Sequence, residues 1–321
     1  MIKADRITKK YNRREVLKEI SFEVSKREIF GLIGPDGAGK STLFRILTTL
    51  ILPDSGTAQI DNRDLIKNWR EIRKIIGYMS ERFSLYHDLT VEENIVFYAQ
   101  IFGTTIQQNY HLIEEIYQQL YPFRDRRAGA LSGGMKKKLA LCCALIHQPK
   151  ILFLDEPTAG LDPLARNDFW EMIKKIQEKG ITVLISTSYM QEATACDRIA
   201  LLDNGTLLAV NEPNNIKKQF RKQLLTVSAS DMYKLLVDLR NYPNTEKVYT
   251  FGEVHHLIAG EQNEPHNDDT VREDITQYLR NLAHENICIE QIKPTIEDCF
   301  MDLSTTVTYQ FPTYSFEPSN E

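Results

Sequence analysis

No stretch of about 18 consecutive apolar residues occurs in the 321-residue chain, so no membrane-spanning helix is expected. The longest apolar candidates, such as Leu139–Ile146, are far too short. The opening MIKADRITKKY lacks the apolar core of a signal peptide. Cysteine is scarce. The five that occur are an odd number without metal-ligand spacing, which argues against a disulfide framework or a zinc site and for reduced cytosolic thiols. Cys142 and Cys143 are expected to pack as small helix residues. Positive charge is not in excess either. A net charge of −5 gives no support for a nucleic-acid partner. Internal repeats and low-complexity tracts are absent. What remains is an ordinary globular balance, 26% charged and 42% apolar. The length exceeds what one core uses, so two domains are expected.

Two motifs stand out against this background. Gly34-Pro-Asp-Gly-Ala-Gly-Lys-Ser-Thr42 fits G-x-x-x-x-G-K-[ST], a phosphate-binding loop. It follows the apolar, strand-like Ile29–Ile33 and precedes a helix-like stretch from Ser41 to Leu47. Gly34, Gly37 and Gly39 let main-chain N–H groups turn toward phosphate oxygens. A helix beginning near Lys40 adds the positive end of its dipole. Lys40 is suited to the β- and γ-phosphates and Ser41 to Mg²⁺. Pro35, Asp36, Ala38 and Thr42 complete the nucleotide-binding set. The second motif is Leu131-Ser-Gly-Gly-Met135. The apolar run Ile151–Leu154 then delivers Asp155 and Glu156 to a strand's C-terminal edge, where ligands bind in open α/β sheets.

Together, in this order, the motifs resemble the ABC ATPases over roughly the first two thirds of the chain. The resemblance implies a P-loop (RecA-like) α/β core with an antiparallel β subdomain and a helical subdomain, and ATP with Mg²⁺ as cofactors. It implies that Asp155 holds Mg²⁺ through water and that Glu156 polarises the attacking water. Pro157–Asp162 resembles the family's D-loop, with Asp162 in it. Tyr11 resembles the aromatic that stacks on adenine. Leu131, Ser132, Gly133, Gly134 and Met135 would act in trans, on nucleotide held by a second cassette of the same or a different chain. The following Lys136–Lys138 reads as a solvated helical face.

Two positions depart from the family pattern. The family expects Gln where Glu81 stands, and His where Ser188 stands. Glu81 keeps the reach to ligate Mg²⁺ but loses an amide donor and adds charge near Glu156. Ser188 is too short for the γ-phosphate contact and carries no charge. Single substitutions of this kind occur in active ABC ATPases, as does Asp at position 36. Two around one γ-phosphate imply slow hydrolysis at this chain's own site, as in the degenerate half of an unequal cassette pair.

Residues 1–220 are assigned to the cassette, with its helical subdomain at about 90–145. Thr90 is a candidate N-cap. The stretch Ser80–Asp88 resembles the surface that receives a coupling helix. Arg198–Leu202 and Thr206–Val210 read as a hairpin across Asp203-Asn-Gly205. Residues 223–304 alternate as βαββαβ, which predicts a small α+β ferredoxin-like domain, with helices at Asp231–Asn241 and Thr270–Glu285 and a loop at Gly260–Asp269. Pro294–Phe300 resembles a run near the end of exporter ATPase subunits. Residues 305–321 are expected to be a flexible tail.

The resemblance implies an exporter-type ATP-binding subunit, cytoplasmic and peripheral on the inner face of the cell membrane, with transmembrane permease subunits as partners. A soluble non-transport ABC ATPase is the alternative. Translation-factor members carry two cassettes and a charged linker, and chromosome-type members insert long heptad tracts; neither feature is present. Cargo is not legible.

Overall fold

The computed structural model describes residues 1–260 and 268–304. The chain divides into two units, Met1–Asn215 and Ile216–Glu321. The expected flexible tail, and residues 261–267 of the loop expected at Gly260–Asp269, lie outside the described residues.

The first unit opens with a hairpin of β1 (Ile2–Tyr11) and β2 (Arg14–Val24), followed by β3 (Ile29–Ile33) and α1 (Lys40–Leu47). Then come β4 (Ser55–Ile60), β5 (Arg63–Asp64), α2 (Trp69–Ile75) and β6 (Ile76–Met79). Three helices follow, α3 (Val91–Ile101), α4 (Ile106–Leu120) and α5 (Gly133–Leu145). The unit closes with β7 (Ile151–Asp155), α6 (Pro163–Glu178), β8 (Thr182–Thr187), β9 (Arg198–Asp203), β10 (Thr206–Asn211) and the opening of α7 (Pro213–Gln219).

These strands form two sheets. One is antiparallel, in the order β2-β1-β4-β5. The other runs β10-β9-β3-β8-β7-β6, parallel except for the β9–β10 hairpin. Every residue of β3, β7 and β8 is buried. Parallel strands covered on both faces read as unbroken apolar runs, which is why these were legible from sequence. One core joins the two sheets: Phe22 stacks on Phe30 with ring centroids 5.4 Å apart, and Phe44 meets Phe153 edge-on at 5.8 Å.

The helical region is set by local signals. Thr90 and Glu93 form a capping box at α3, and Thr105 and Gln108 form one at α4. Asn94 is fully buried. Its Nδ2 donates to the carbonyls of Tyr86, Leu89 and Thr90, and its Oδ1 accepts from Tyr86 N. One amide thereby holds the turn that leads into α3.

The second unit contains β11 (Gln223–Ser228), α8 (Met232–Asn241), β12 (Thr245–Phe251), β13 (Val254–Ala259), α9 (Asp268–Asn281), β14 (Cys288–Gln291) and α10 (Ile296–Leu303). Its sheet order is β12-β13-β11-β14 with every pair antiparallel, the split βαβ arrangement of ferredoxin-like folds. Leu225, Val227, Leu235, Leu257, Ile275 and Leu279 form its core. The helix expected at Thr270–Glu285 starts earlier, at Asp268, and stops at Asn281. Ala283 and Asn286 sit at φ 58° and 53°, left-handed conformations that a right-handed helix does not accommodate. Thr295 N-caps α10 in a capping box with Asp298, whose carboxylate accepts from Thr295 N and also from Tyr249 Oη and His256 Nδ1, the last two each at 2.6 Å. Burial alone would push its carboxyl up; the hydrogen bonds from His256, Thr295 and Tyr249 outweigh that and hold it below the usual range.

Candidate functional site

Strand register assembles the site. Ile33 of β3 lies beside Thr187 of β8, and Asp155 of β7 lies beside Ser186. The loop after β3, the acidic pair at the end of β7 and the segment after β8 therefore leave the sheet at one edge. Gly34 N donates to Thr187 O at 3.3 Å across that edge. A side chain at Gly34 would run into the Leu202 carbonyl. Gly39 adopts φ 111° as the N-cap of α1 and has Val16 O 2.9 Å from where a Cβ would stand. Only glycine meets both demands there.

Lys40 is buried and donates from Nζ to the carbonyls of Gly34 at 2.6 Å and Pro35 at 3.0 Å. The same nitrogen lies 3.0 Å from Glu156 Oε1, a close charge pair without hydrogen-bond alignment. On the other carboxylate oxygen, Ser188 N donates to Oε2 at 3.2 Å and Ser188 Oγ approaches at 3.5 Å. Glu156 takes a left-handed φ of 46°, which costs a non-glycine residue of order 1 kcal/mol. Its N–H is held by Ser186, whose main-chain O and Oγ both accept at 3.1 Å.

Asp155 accepts from Ser186 Oγ at 2.6 Å and from Ser41 Oγ at 3.1 Å. A hydroxyl beside a carboxylate fits Mg²⁺, which takes one or two protein oxygens and completes its shell with water and phosphate. Among the described residues no group of three or more His, Cys, Asp or Glu could form a cage of protein ligands alone. Burial, with the Asp155 charge second, pushes the nearby Tyr78 phenol up to about 12.

The other expected residues are distributed as follows. Pro35, Asp36 and Gly37 are exposed, Ala38 is buried, and Thr42 is half-buried in α1. Tyr11 is 43% exposed at the tip of the β1–β2 hairpin, beside Lys9 Nζ. Glu81 is exposed after β6. Ser132 N-caps α5, accepting from Met135 N at 3.3 Å. Leu131 is buried, Ser132 and Gly133 are exposed, and Gly134 and Met135 are half-buried. Among the described residues, no hydrogen bond or ion pair joins this motif to the loop at 34–42. Asp162 N-caps α6, accepting from Ala165 N at 2.9 Å.

A family described as ABC transporter matches residues 17–159. Nod factor export ATP-binding protein I of Rhizobium sp. (strain N33) is 32% identical over 302 residues, covering 93% of this chain and 95% of that protein. The chain is an ATP-binding cassette of the ABC transporter family. A second relative, the probable multidrug ABC transporter ATP-binding protein YbhF of Escherichia coli (strain K12), is 41% identical over 221 residues. That match covers 68% of this chain but only 38% of YbhF, so the chain spans about two fifths of that relative. Among solved structures, an ATP binding subunit of an ABC transporter superposes with TM-score 0.63 at 29% identity, covering 68% of this chain and 93% of that one. The dimeric bacterial cassette MJ0796 gives 0.61 at 27% identity, covering 66% and 98%.

Within this ABC cassette, sequence reasoning missed three side chains. Ser186 bridges Asp155 and the Glu156 amide, and Tyr78 flanks Asp155. Nothing but their places beside the motifs marked them. The third requires a correction. Lys136–Lys138 is not a uniformly solvated face: Lys137 is half-buried and donates to Glu156 O at 2.9 Å. All three lysines are half-buried, but successive helical residues point about 100° apart, so Lys137 alone of the run is directed at Glu156 while Lys136 and Lys138 meet Phe83 and Gln119.

Proposed function

We propose that this chain is the ATP-hydrolysing subunit of an exporter-type ABC transporter and energises a separate membrane permease. The observation that supports this most is the arrangement at the sheet edge. Lys40, Ser41, Asp155 and Glu156 converge there, with Lys40 paired to Glu156. Lys40 and the amides at the start of α1 neutralise and orient the β- and γ-phosphates. Ser41 and the Glu81 carboxylate, with Asp155 through water, would hold Mg²⁺, which would supply charge neutralisation at the phosphates. Glu156 orients water for attack, and Tyr11 stacks on the base.

The exposed Ser132 and Gly133 at the N-terminus of α5 serve nucleotide held by a second cassette, with Asp162 near that interface. The exporter direction rests on relatives named for multidrug transport, Nod factor export and linearmycin resistance. A cavity of about 280 Å³ lined by Tyr78, Arg82, Leu85, Tyr98 and His147 is where a permease helix would seat. No helix among the described residues is long and apolar enough to cross a membrane. The subunit works from the cytoplasmic face, as a peripheral partner of the permease. Glu81 and Ser188 make this chain's own site the slower of an unequal pair.

The test is nucleotide binding. Titration with a fluorescent ATP analogue should give saturable, Mg²⁺-dependent binding to the wild type and none to Lys40→Ala. Equal affinity for both would overturn the assignment.

A further inference from the structure

Lys137 lies outside every nucleotide-contacting motif, yet it reaches the reaction centre from the signature helix. Its ammonium donates to Glu156 O at 2.9 Å and lies 3.4 Å from Glu81 O. Its neighbours are engaged elsewhere: Lys138 donates to Gln119 Oε1 at 2.6 Å, and Lys136 lies 5.7 Å from the Phe83 ring centroid. Burial pushes the Lys137 ammonium pKa down, opposed by the charges of Glu81, Glu156 and Asp155. The same cation thus ties together two segments distant in sequence, the end of β7 and the turn after β6.

We propose that Lys137 is a positioning residue: by holding the Glu156 carbonyl and the Glu81 turn, it couples the aim of the Glu156 carboxylate to helix α5. The proposal rests on the reading of Glu156 as the water-orienting carboxylate. The physical reason is local. Glu156 sits at φ 46°, a conformation held only by its surroundings. Ser186 fixes its N–H; its carbonyl accepts from Lys137 at 2.9 Å and, more weakly, from Ala159 N at 3.3 Å. With both ends of the residue held, the direction of the Cα–Cβ bond is set. Lys137 is two residues beyond Met135, so a displacement of the signature motif by the opposite nucleotide would be carried along α5 to this chain's own carboxylate.

The experiment compares wild type, Lys137→Met, Lys137→Arg, Lys138→Met and Glu156→Gln as full-length proteins. Lys137→Met should lower kcat for ATP hydrolysis about 10- to 100-fold while KM and ATP-analogue affinity stay within about twofold, since a misplaced reacting group costs rate and not uniform binding. Lys137→Arg should recover most of the rate, and Lys138→Met should behave as wild type. Amide exchange of the segment 154–160 should quicken in Lys137→Met and not in Lys138→Met, a readout independent of turnover. The comparison is repeated in a Glu81→Gln, Ser188→His background so that a low basal rate does not mask it. Wild-type kcat in Lys137→Met, a parallel loss of affinity, or unchanged exchange at 154–160 overturns the proposal. Full activity in Glu156→Gln would overturn the reading of Glu156 as well; an inactive Glu156→Gln beside an active Lys137→Met overturns only the tether.

Discussion

Lys40 Nζ lies 3.0 Å from Glu156 Oε1, and both side chains are almost wholly buried. Such a pair attracts strongly because little water screens it. On the proposed reading, the cation that would bind phosphate and the carboxylate that would orient water therefore constrain one another. A γ-phosphate at Lys40 would compete with Glu156 for the same ammonium, and the displaced carboxylate would be left held by Ser188 N and its own main-chain anchors.

Removing the competing charge should favour nucleotide. Glu156→Gln is expected to bind an ATP analogue about fivefold more tightly than wild type, equivalent to roughly 1 kcal/mol, while losing hydrolysis. Weaker or equal binding would mean that the pair exerts no competition.

The positions of Glu81 and Ser188 give a restoration experiment. A positioned catalytic group is worth about 10²–10⁴ in rate. Ser188 contacts Glu156 but cannot carry charge, and Glu81 brings a second carboxylate into the same neighbourhood. Ser188→His and Glu81→Gln should each raise steady-state ATPase activity. The double variant should gain most, and not additively, because both groups act on one water. A wild type already at an ordinary rate, unmoved by either change, would make the departures neutral.

His147 makes stability depend on acid. Its Nε2 donates to Ile76 O at 2.9 Å, its ring stacks on Phe102 at 3.9 Å, and its Nδ1 has no partner. Burial holds its pKa below the ordinary histidine value, and the hydrogen bond to Ile76 pulls the other way without restoring it. With the folded pKa lowered, the unfolded chain takes up the proton first. Stability is present above the unfolded value of about 6.5 and is lost as pH falls through it, at no more than about 1.4 kcal/mol per pH unit for one group. Thermal melts at about pH 7.5 and 5.5 should show a smaller acid-induced drop for His147→Phe than for wild type. Equal drops would remove His147 as the cause.

In the second unit, Asp298 is fully buried and serves Thr295, Tyr249 and His256 together. Asp298→Ala would leave a buried phenol and imidazole without their acceptor, at about 1–3 kcal/mol each. Denaturant unfolding should show that unit destabilised, with ATP-analogue affinity unchanged because the residues proposed to bind nucleotide all lie in the first unit. Wild-type stability would mean that water replaces the carboxylate at no cost.

By itself the sequence determined the backbone elements that carry the chemistry. The unbroken apolar runs at Ile29–Ile33 and Ile151–Leu154 have the length and punctuation of covered strands, and the glycines at 34, 37 and 39 have the spacing of a phosphate loop. Thr90 announced its helix because a cap is a local bond. The alternation after residue 223 gave a sheet whose order, β12-β13-β11-β14, no local signal specifies.

What the tertiary structure decided is which polar groups meet. Lys40 and Glu156, Ser186 and Asp155, and Lys137 and Glu156 are separated by 116, 31 and 19 residues, and each contact exists through the register of β3, β8 and β7 or the rotation of α5 about its axis. Sequence periodicity tells which face of an element is apolar. It does not tell which polar group on one element will stand opposite another, because that depends on how the elements pack, and a shift of one residue in a strand would turn that strand's own side chains to the other face.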